Sequence, residues 1–99
     1  MKTRFEWDPA KATANLRKLG VSFETASRVF ADPNALFEQD RIVDGELRLQ
    51  AIGVVDEMMM LLVAHVVQEQ DGVEGIRIIS ARRANHKERR RYEEEIGSI

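Results

Sequence analysis

The sequence contains no cysteine among its 99 residues, and it has two prolines, one tryptophan and one tyrosine. Without cysteine, neither a disulfide framework nor a thiolate metal site or thiol nucleophile is available, and a reducing cytoplasm is the expected setting. No stretch approaches the roughly 18 apolar residues of a membrane span, and the N-terminus lacks the apolar run of a signal peptide. We therefore expect one cytoplasmic domain over residues 1–99, with no membrane partner.

Several catalytic motifs are also missing. The two histidines lie 21 positions apart without HExxH spacing, so a zinc site is not expected. The chain has neither a glycine-rich phosphate loop nor a GxSxG elbow. These absences predict a protein that uses neither a metal nor a cofactor.

The charged residues are distributed unevenly, although the net charge is only −2. Residues 76–92 carry seven Lys or Arg and one Glu, whereas acidic residues are in excess over residues 1–75. Salt screens charges that are more than about 8 to 10 Å apart, so the local field decides whether a polyanion binds. The distribution predicts a basic patch for nucleic acid in the last third of the chain. A solvated helix face without a ligand is the alternative.

Capping and turn signals predict two helices in the first third of the chain. The first spans residues 9–19, because Asp8 can cap free amide groups and proline fits the first helical position. Gly20 supplies its C-terminal stop. Ser22 is the expected N-cap of the second helix, which Asp32-Pro33 ends because the residue before proline resists the α conformation.

The remaining apolar runs predict strands joined by short turns. Together they indicate an α+β fold with a small antiparallel sheet, two N-terminal helices packed on one face and a C-terminal helix. The C-terminal helix begins with a capping box formed by Asn85 and Glu88. The run over residues 58–67 has a single polar residue, His65, and is the expected central strand. The strands are expected at residues 2–7, 35–40, 46–55, 58–67 and 76–84, with turns at Asp44-Gly45, Asp56-Glu57 and residues 68–75.

His65 and the arginines of the last strand are the residues with the clearest chemical potential. His65 is either a core histidine with a backbone partner or a general acid or base, because histidine titrates near neutral pH. Arg77, Arg82 and Arg83 belong to or adjoin a strand, where they need solvent, carboxylates or an anionic ligand. Guanidinium groups match phosphate oxygens and can stabilise the added charge of a phosphorane-like transition state without a metal.

Three stretches of the chain carry a resemblance to a known family. The opening FEWDPAK, the strand IRIISARRA and the ending ERRRYEE, in this order and spacing, resemble the BrnT toxins of type II toxin–antitoxin systems. The resemblance implies a RelE-like fold and a metal-independent ribonuclease that halts translation. It also implies a BrnA-like ribbon-helix-helix antitoxin as partner, with operator DNA contacted only through that antitoxin.

The resemblance also implies roles for individual residues. His65 is expected as the general acid or base and Arg77 and Arg82 as phosphate and transition-state clamps, converging on one solvent-reachable face. One departure is that many family members read Lys-His-Gly at the end of the first helix, where this chain has Leu19. A catalytically weak, antitoxin-binding co-repressor and an RNA-binding domain without catalysis are the alternative functions. The expected supporting catalytic residues are Lys11 and Arg48, and the expected RNA-binding residues are Arg83, Lys87, Arg89, Arg90 and Tyr92.

Overall fold

The computed structural model describes residues 2–56 and 58–97. Its five strands form one sheet in the order β1-β5-β4-β3-β2. Within the described residues, no helix is long and apolar enough to cross a membrane. In chain order the elements are β1 (Lys2–Glu6), α1 (Pro9–Leu19), α2 (Phe23–Ser27), a 3-10 turn (Arg28–Ala31), β2 (Leu36–Val43), β3 (Glu46–Val55), β4 (Met59–Gln70), β5 (Val73–Arg83) and α3 (His86–Gly97).

The sheet is mixed, so the prediction of an antiparallel sheet is wrong at one edge. β1 runs parallel to β5, with Phe5 opposite Ile76, whereas the other three strand pairs are antiparallel. Two strands that are joined by a short turn must run in opposite directions. β1 and β5 are not joined in this way, because both N-terminal helices and the three remaining strands lie between them in the sequence, so they can run parallel. The prediction that the run containing His65 is the central strand is confirmed, because β4 has two strands on each side.

Hydrogen bonds and backbone angles confirm the predicted starts of both helices and the predicted end of the first, whereas the second ends as an α-helix at Ser27 and continues as the 3-10 turn to Ala31 before Asp32-Pro33. The Asp8 carboxylate accepts a bond of 2.8 Å from the amide of Ala10 at the start of α1. Gly20 closes α1 in the left-handed conformation with φ of 73°, which glycine adopts without a steric penalty. The Ser22 hydroxyl accepts a bond of 3.0 Å from the amide of Thr25 at the start of α2. Local sequence therefore determines where both helices begin.

The predicted turn over residues 68–75 is wrong, because the hairpin is longer than its apolar part. β4 continues to Gln70 and β5 begins at Val73, so only Asp71 and Gly72 form the turn. Both have positive φ, 54° and 75°, as a two-residue hairpin turn of type I′ requires. The polar residues Gln68, Glu69 and Gln70, which suggested a loop, instead extend β4, and their side chains are exposed.

β2 is also longer than predicted and forms one edge of the sheet. It spans Leu36–Val43 rather than residues 35–40, and its pairing with β3 shifts between Gln39 and Arg41. The predicted turn at Asp44-Gly45 is confirmed, again with positive φ at both residues. The predicted turn at Asp56-Glu57 lies partly outside the described residues.

The two faces of the sheet carry separate apolar clusters. On the first face, called the α2 side, α1 and α2 pack over β3, β4 and β5, and Asn15 of α1 bonds through its amide to both backbone groups of Ala81. On the second face, called the α3 side, Tyr92 of α3 packs over the sheet. The α2-side cluster contains Val21, Phe23, Ala26, Val29, Ala51, Val55, Leu61, Val63, Ile76, Ile78 and Ala81, and the α3-side cluster contains Ile52, Met60, Leu62 and Tyr92.

Candidate functional site

The strand register places His65 and Arg77 on opposite faces of the sheet. Residues that pair directly across an antiparallel ladder share a face, and successive residues of a strand alternate between faces. His65 pairs with Ile78, which belongs to the α2-side cluster. Arg77 pairs with Val66, the next residue along β4. Arg77 therefore lies on the α3 side, across the sheet from His65.

Arg82 shares the α3 side with Arg77, because it pairs with Leu62 of the α3-side cluster. The two arginines are five residues apart, which strict alternation would place on opposite faces. The pairing of β4 with β5 shifts register at Ile79, which is an extra residue in β5. This shift places Arg77 and Arg82 on the same face of the sheet. The prediction that both arginines converge with His65 on one solvent-reachable face is wrong, because the sheet separates His65 from them.

The His65 imidazole is enclosed in the α2-side layer. Only 1% of the residue is exposed, and Nδ1 lies 3.0 Å from the carbonyl oxygen of Val63. The carbonyl can only accept, so Nδ1 carries the proton of the neutral ring. The ring centroid lies 4.8 Å from that of Phe30 and 6.2 Å from that of Phe37. Burial lowers the His65 pKa, although the Val63 bond partly opposes this, so the ring is neutral at pH 7.

Three arginines form a cluster on the α3 side, made of Arg41, Arg48 and Arg77. Arg48 pairs directly with Arg41 across β2 and β3. It immediately precedes Leu49, which pairs with His65, so Arg48 lies on the same side as Arg77. The Arg77 guanidinium donates a short hydrogen bond to Glu46.

Charge within this arginine cluster is only partly neutralised. The hydrogen bond from Arg77 lowers the pKa of Glu46, and the charge of Arg48 adds to that effect. Asp40 also lies 3.8 Å from Nε of Arg41, so the three guanidinium groups and the two carboxylates carry a net formal charge of +1. The Arg77 and Glu46 side chains are 33% and 31% exposed, so a ligand from solvent can reach both. The cluster is therefore an accessible site for an anion.

Arg48 is the arginine of this cluster whose polar atoms are least satisfied. Its Nε is buried and has no hydrogen-bond partner, a condition that no other side-chain nitrogen or oxygen of the described residues shares. Over residues 2–56 and 58–97 it also has no carboxylate at ion-pair distance, whereas Arg77 and Arg82 pair with Glu46 and Glu88. An unpaired buried donor is costly, and an anionic oxygen would satisfy it.

The guanidinium of Arg82 is already occupied. Both of its terminal nitrogens donate bonds of 2.8 Å to the carboxylate of Glu88, which is 7% exposed. That carboxylate also accepts from the amide of Asn85, which completes the predicted capping box and confirms it. The Arg82 bonds, supported by the Asn85 bond, outweigh burial and lower the Glu88 pKa. The bonds between Arg82 and Glu88 therefore link the first turn of α3 to β5 of the sheet.

Tyr92 is buried rather than available for stacking on a base. The residue is 6% exposed, and its hydroxyl donates a bond of 2.7 Å to Asp32. Burial, together with that bond, raises the pKa of Tyr92 to about 12. The Asp32 carboxylate also accepts from the amides of Val54 and Asn34. Burial raises the Asp32 pKa, but the three bonds outweigh it and leave the pKa below its ordinary value.

The other predicted residues lie away from the arginine cluster. Lys11 is exposed on α1, on the α2 side of the sheet. Leu19, where many family members have histidine, is 48% exposed at the end of the same helix. Arg83 is exposed at the end of β5 and pairs with Leu61 of the α2-side cluster. The predicted RNA-binding residues of α3 that are exposed are Lys87, Arg89 and Arg90.

Sequence reasoning missed Glu46 and Arg41 as members of this site. Glu46 and Arg48 are two residues apart in a strand, so alternation alone places their side chains on one face. Arg41 lies beyond the predicted end of its strand, and its pairing with Arg48 follows a register shift. Alternation could have identified Glu46, but no local signal indicated the position of Arg41.

An apolar groove lies on the opposite, α2 side of the same strands. It is a cavity of about 500 Å³ whose lining includes Phe5, Phe30, Phe37, His65 and Val67. Glu74 is the one charged residue in that lining. Beside the groove, the paired residues Ile42 and Leu47 are 71% and 40% exposed. Exposed apolar surface of this kind commonly marks a site for a protein partner.

The described parts of the chain contain no group of three His, Asp or Glu side chains that could hold a metal ion together. The arginine cluster can bind an anion, and the apolar groove can bury apolar side chains. The two sites lie on opposite faces of β3 and β4.

Comparisons with known proteins agree with this fold. A protein-family model described as the ribonuclease toxin BrnT of a type II toxin–antitoxin system matches residues 7–88. The crystal structure of the Brucella abortus ribonuclease toxin BrnT is similar, with a TM-score of 0.60 and 20% sequence identity. The alignment covers 87% of this chain and all of that one. A search of curated proteins finds no match. The segment that matches the family contains the whole arginine cluster.

Proposed function

This chain belongs to the BrnT family of ribonuclease toxins of type II toxin–antitoxin systems, and from that premise we propose that it cleaves RNA at the arginine cluster. RNA is its substrate class and an antitoxin its partner. The proposal assigns the cleavage site to the α3 side of the sheet, with Arg48 and Arg77 contacting the scissile phosphodiester and Arg41 adding to the positive field. We further propose that the enzyme acts in the cytoplasm.

The unpartnered Nε of Arg48 is the observation that supports this assignment. A phosphodiester oxygen would give this buried donor the partner that the free chain lacks. The net formal charge of +1 in the cluster balances the single negative charge of a bound phosphodiester. The guanidinium groups of Arg48 and Arg77 can also stabilise the additional negative charge that develops when a phosphorane-like transition state forms.

Cleavage by this route needs no metal ion. The 2′-oxygen of the ribose attacks phosphorus and the bond to the 5′-oxygen breaks, which leaves a 2′,3′-cyclic phosphate and a 5′-hydroxyl. Arg48 and Arg77 stabilise the charge that accumulates on the phosphoryl oxygens. His65 takes no part at this face, because it is buried across the sheet. The exposed residues Lys87, Arg89 and Arg90 remain candidates for contacts with flanking phosphates.

Incubation of the purified chain with a structured RNA in EDTA tests this proposal. The parent should produce fragments with 2′,3′-cyclic phosphate ends, and an Arg48→Gln/Arg77→Gln variant should not. Arg28→Gln is the matched control, because Arg28 is paired with Asp56 at 3.0 Å outside the arginine cluster. Equal cleavage by the double variant and the control would remove the cluster from the mechanism.

A second function, antitoxin binding, is supported by the apolar groove. We propose that the partner is a BrnA-like ribbon-helix-helix protein that inserts apolar side chains into the groove and contacts operator DNA by itself. Glu74 would pair with a basic residue of the inserted segment. If two copies of this chain met at the groove across a two-fold axis, two concave surfaces would face each other and leave a void between them. A segment of a different chain therefore fits the groove better. Binding of the antitoxin to a groove variant, Val67→Glu, tests this assignment.

A further inference from the structure

Among the described residues, two carboxylates form ion pairs with arginines of the cluster, Asp40 with Arg41 at 3.8 Å and Glu46 with Arg77. Glu46 is the first residue of β3, and its Oε1 accepts the hydrogen bond from Arg77. Its other oxygen, Oε2, lies 3.4 Å from the side-chain amide nitrogen Nε2 of Gln68. Of the other carboxylates described on the α3 side, Glu38 pairs with Arg91 of α3 and Glu88 with Arg82. Asp40 pairs with Arg41, whose side chain is 75% exposed, whereas Glu46 pairs with Arg77. Because Arg77 is proposed to contact the scissile phosphate, Glu46 is the carboxylate beside that position.

We propose that Glu46 is the general base of RNA cleavage, an inference that rests on the ribonuclease function proposed above. Attack by the ribose 2′-hydroxyl requires a group that removes its proton. The arginine cluster offers guanidinium groups, which are always protonated, and the carboxylates of Glu46 and Asp40. Glu46 is the one of the two that pairs with Arg77, which is proposed to contact the scissile phosphodiester. A side chain that is about one-third exposed can contact both the ribose and the solvent to which it later returns the proton.

The proposed step balances without any additional reactant. The carboxylate of Glu46 takes the proton from the 2′-oxygen, and an electron pair of that oxygen forms the new bond to phosphorus. The bond from phosphorus to the 5′-oxygen breaks, its electron pair stays on the 5′-oxygen, and that oxygen takes a proton from water. Glu46 then releases its proton to solvent. Arg48 and Arg77 stay protonated throughout and stabilise the phosphoryl oxygens.

The ion pair with Arg77 couples substrate binding to the strength of this base. In the free chain the Arg77 bond holds the pKa of Glu46 below its ordinary value, which makes the carboxylate a weak base. A bound phosphodiester competes for the same guanidinium and weakens that bond, so the Glu46 pKa rises when substrate binds. The other groups that face Glu46 are Arg48 on its own strand, the neutral Gln68 on β4 and the apolar Val43 on β2.

Single-turnover cleavage by Glu46→Gln tests the inference. Glutamine keeps the side-chain shape and can accept from Arg77, but it cannot serve as a base at neutral pH. We expect the cleavage rate to fall roughly 10²- to 10⁴-fold, the usual contribution of a general base. Binding of a non-cleavable 2′-O-methyl RNA should be as tight as for the parent or tighter, since a competing negative charge is removed.

Glu38→Gln is the matched control, because it removes another carboxylate that pairs with an arginine on the same side of the sheet. It should cleave within about 3-fold of the parent, well short of the loss expected for a general base. Melting temperatures of both variants report whether they are folded. Equal cleavage by a folded Glu46→Gln and the control would overturn the role of Glu46 and leave the ribonuclease function intact. A parent that does not cleave RNA would overturn that function and the role of Glu46 together.

Discussion

The two faces of the sheet differ most where β3 and β4 extend beyond the helices. On the α3 side, β3 presents Glu46 and Arg48, and an anion can bind there. On the α2 side, the alternate residues Leu47 and Leu49 of the same strand lie in or beside the apolar groove. A single strand therefore contributes to a polar site and an apolar site, because its side chains alternate. RNA and a protein partner can be recognised by opposite faces without competing for the same residues.

The faces also differ in how their exposed groups are satisfied. Of the four arginines that β2, β3 and β5 present on the α3 side, Arg41, Arg77 and Arg82 have carboxylate partners, and Arg48 has none among the described residues. On the α2 side, no element within residues 2–56 and 58–97 covers the exposed apolar side chains of Phe37, Ile42 and Val67. Each face thus lacks one kind of contact, an anion on the first and an apolar surface on the second. Four predictions test this division.

Of these four changes, replacement of Arg48 by glutamine should have the largest effect. Loss of one donor to the transition state typically lowers a catalytic rate roughly 10²- to 10³-fold. We expect such a loss in RNA cleavage, with a melting temperature close to that of the parent, because the guanidinium has no described partner to lose. Antitoxin binding, measured by calorimetry, should not change. A variant that lost antitoxin binding instead would place the partner on the arginine side.

The charged substitution Val67→Glu should have the opposite pattern. Val67 lines the groove and is 41% exposed, so the free chain tolerates glutamate there. A buried charge at the interface should weaken antitoxin binding by about 1–3 kcal/mol, or roughly 5- to 200-fold. Cleavage of RNA should match the parent. Ile96→Glu, at a 39% exposed position on α3, is the control, and equal losses in both variants would contradict a specific groove.

Removal of the Tyr92 hydroxyl tests whether this residue is structural. Tyr92→Phe deletes the hydrogen bond to Asp32 and leaves the ring packed on the α3-side cluster. We expect the free energy of unfolding in urea to fall by about 1 kcal/mol. Affinity for 2′-O-methyl RNA should stay the same. Weaker RNA binding at unchanged stability would show that the hydroxyl contacts RNA.

The last prediction concerns the pH dependence that His65 contributes to stability, which should be small near neutral pH. Burial lowers the pKa of His65 in the folded state, so His65 of the unfolded chain takes up a proton first as the pH falls below about 6.5. The stability contributed by the neutral ring is complete above that value and is lost below it, by at most about 1.4 kcal/mol per pH unit. Urea unfolding of the parent and of His65→Gln should reveal this difference. If a folded His65→Gln variant no longer cleaved RNA, the catalytic site would lie on the α2 side of the sheet.

Local sequence signals predicted much of the fold because they act over a few residues. The caps at Asp8, Ser22 and Asn85 and the stop at Gly20 depend on neighbouring backbone groups, so their positions followed from the sequence. The parallel pairing of β1 depends on contacts between the two ends of the chain. No turn sequence in the chain indicates that β1 pairs with β5.

The candidate site was harder to predict because it depends on strand register. Arg77 was identified from its chemistry, but its face is fixed by pairing with β4. The extra residue Ile79 places Arg77 and Arg82 on one side against simple alternation. His65 was selected because histidine titrates near neutral pH, and nothing in the residues around it indicated which side of the sheet it would face.

An NMR titration with 2′-O-methyl RNA tests the division between the faces most directly. The account predicts that the Nε–H signal of Arg48 and the amide signals around Glu46 and Arg77 shift as RNA is added. Signals of the groove residues Phe37 and Val67 should stay in place. Shifts confined to the groove, with the Arg48 signal unmoved, would contradict the assignment of RNA binding to the arginine cluster.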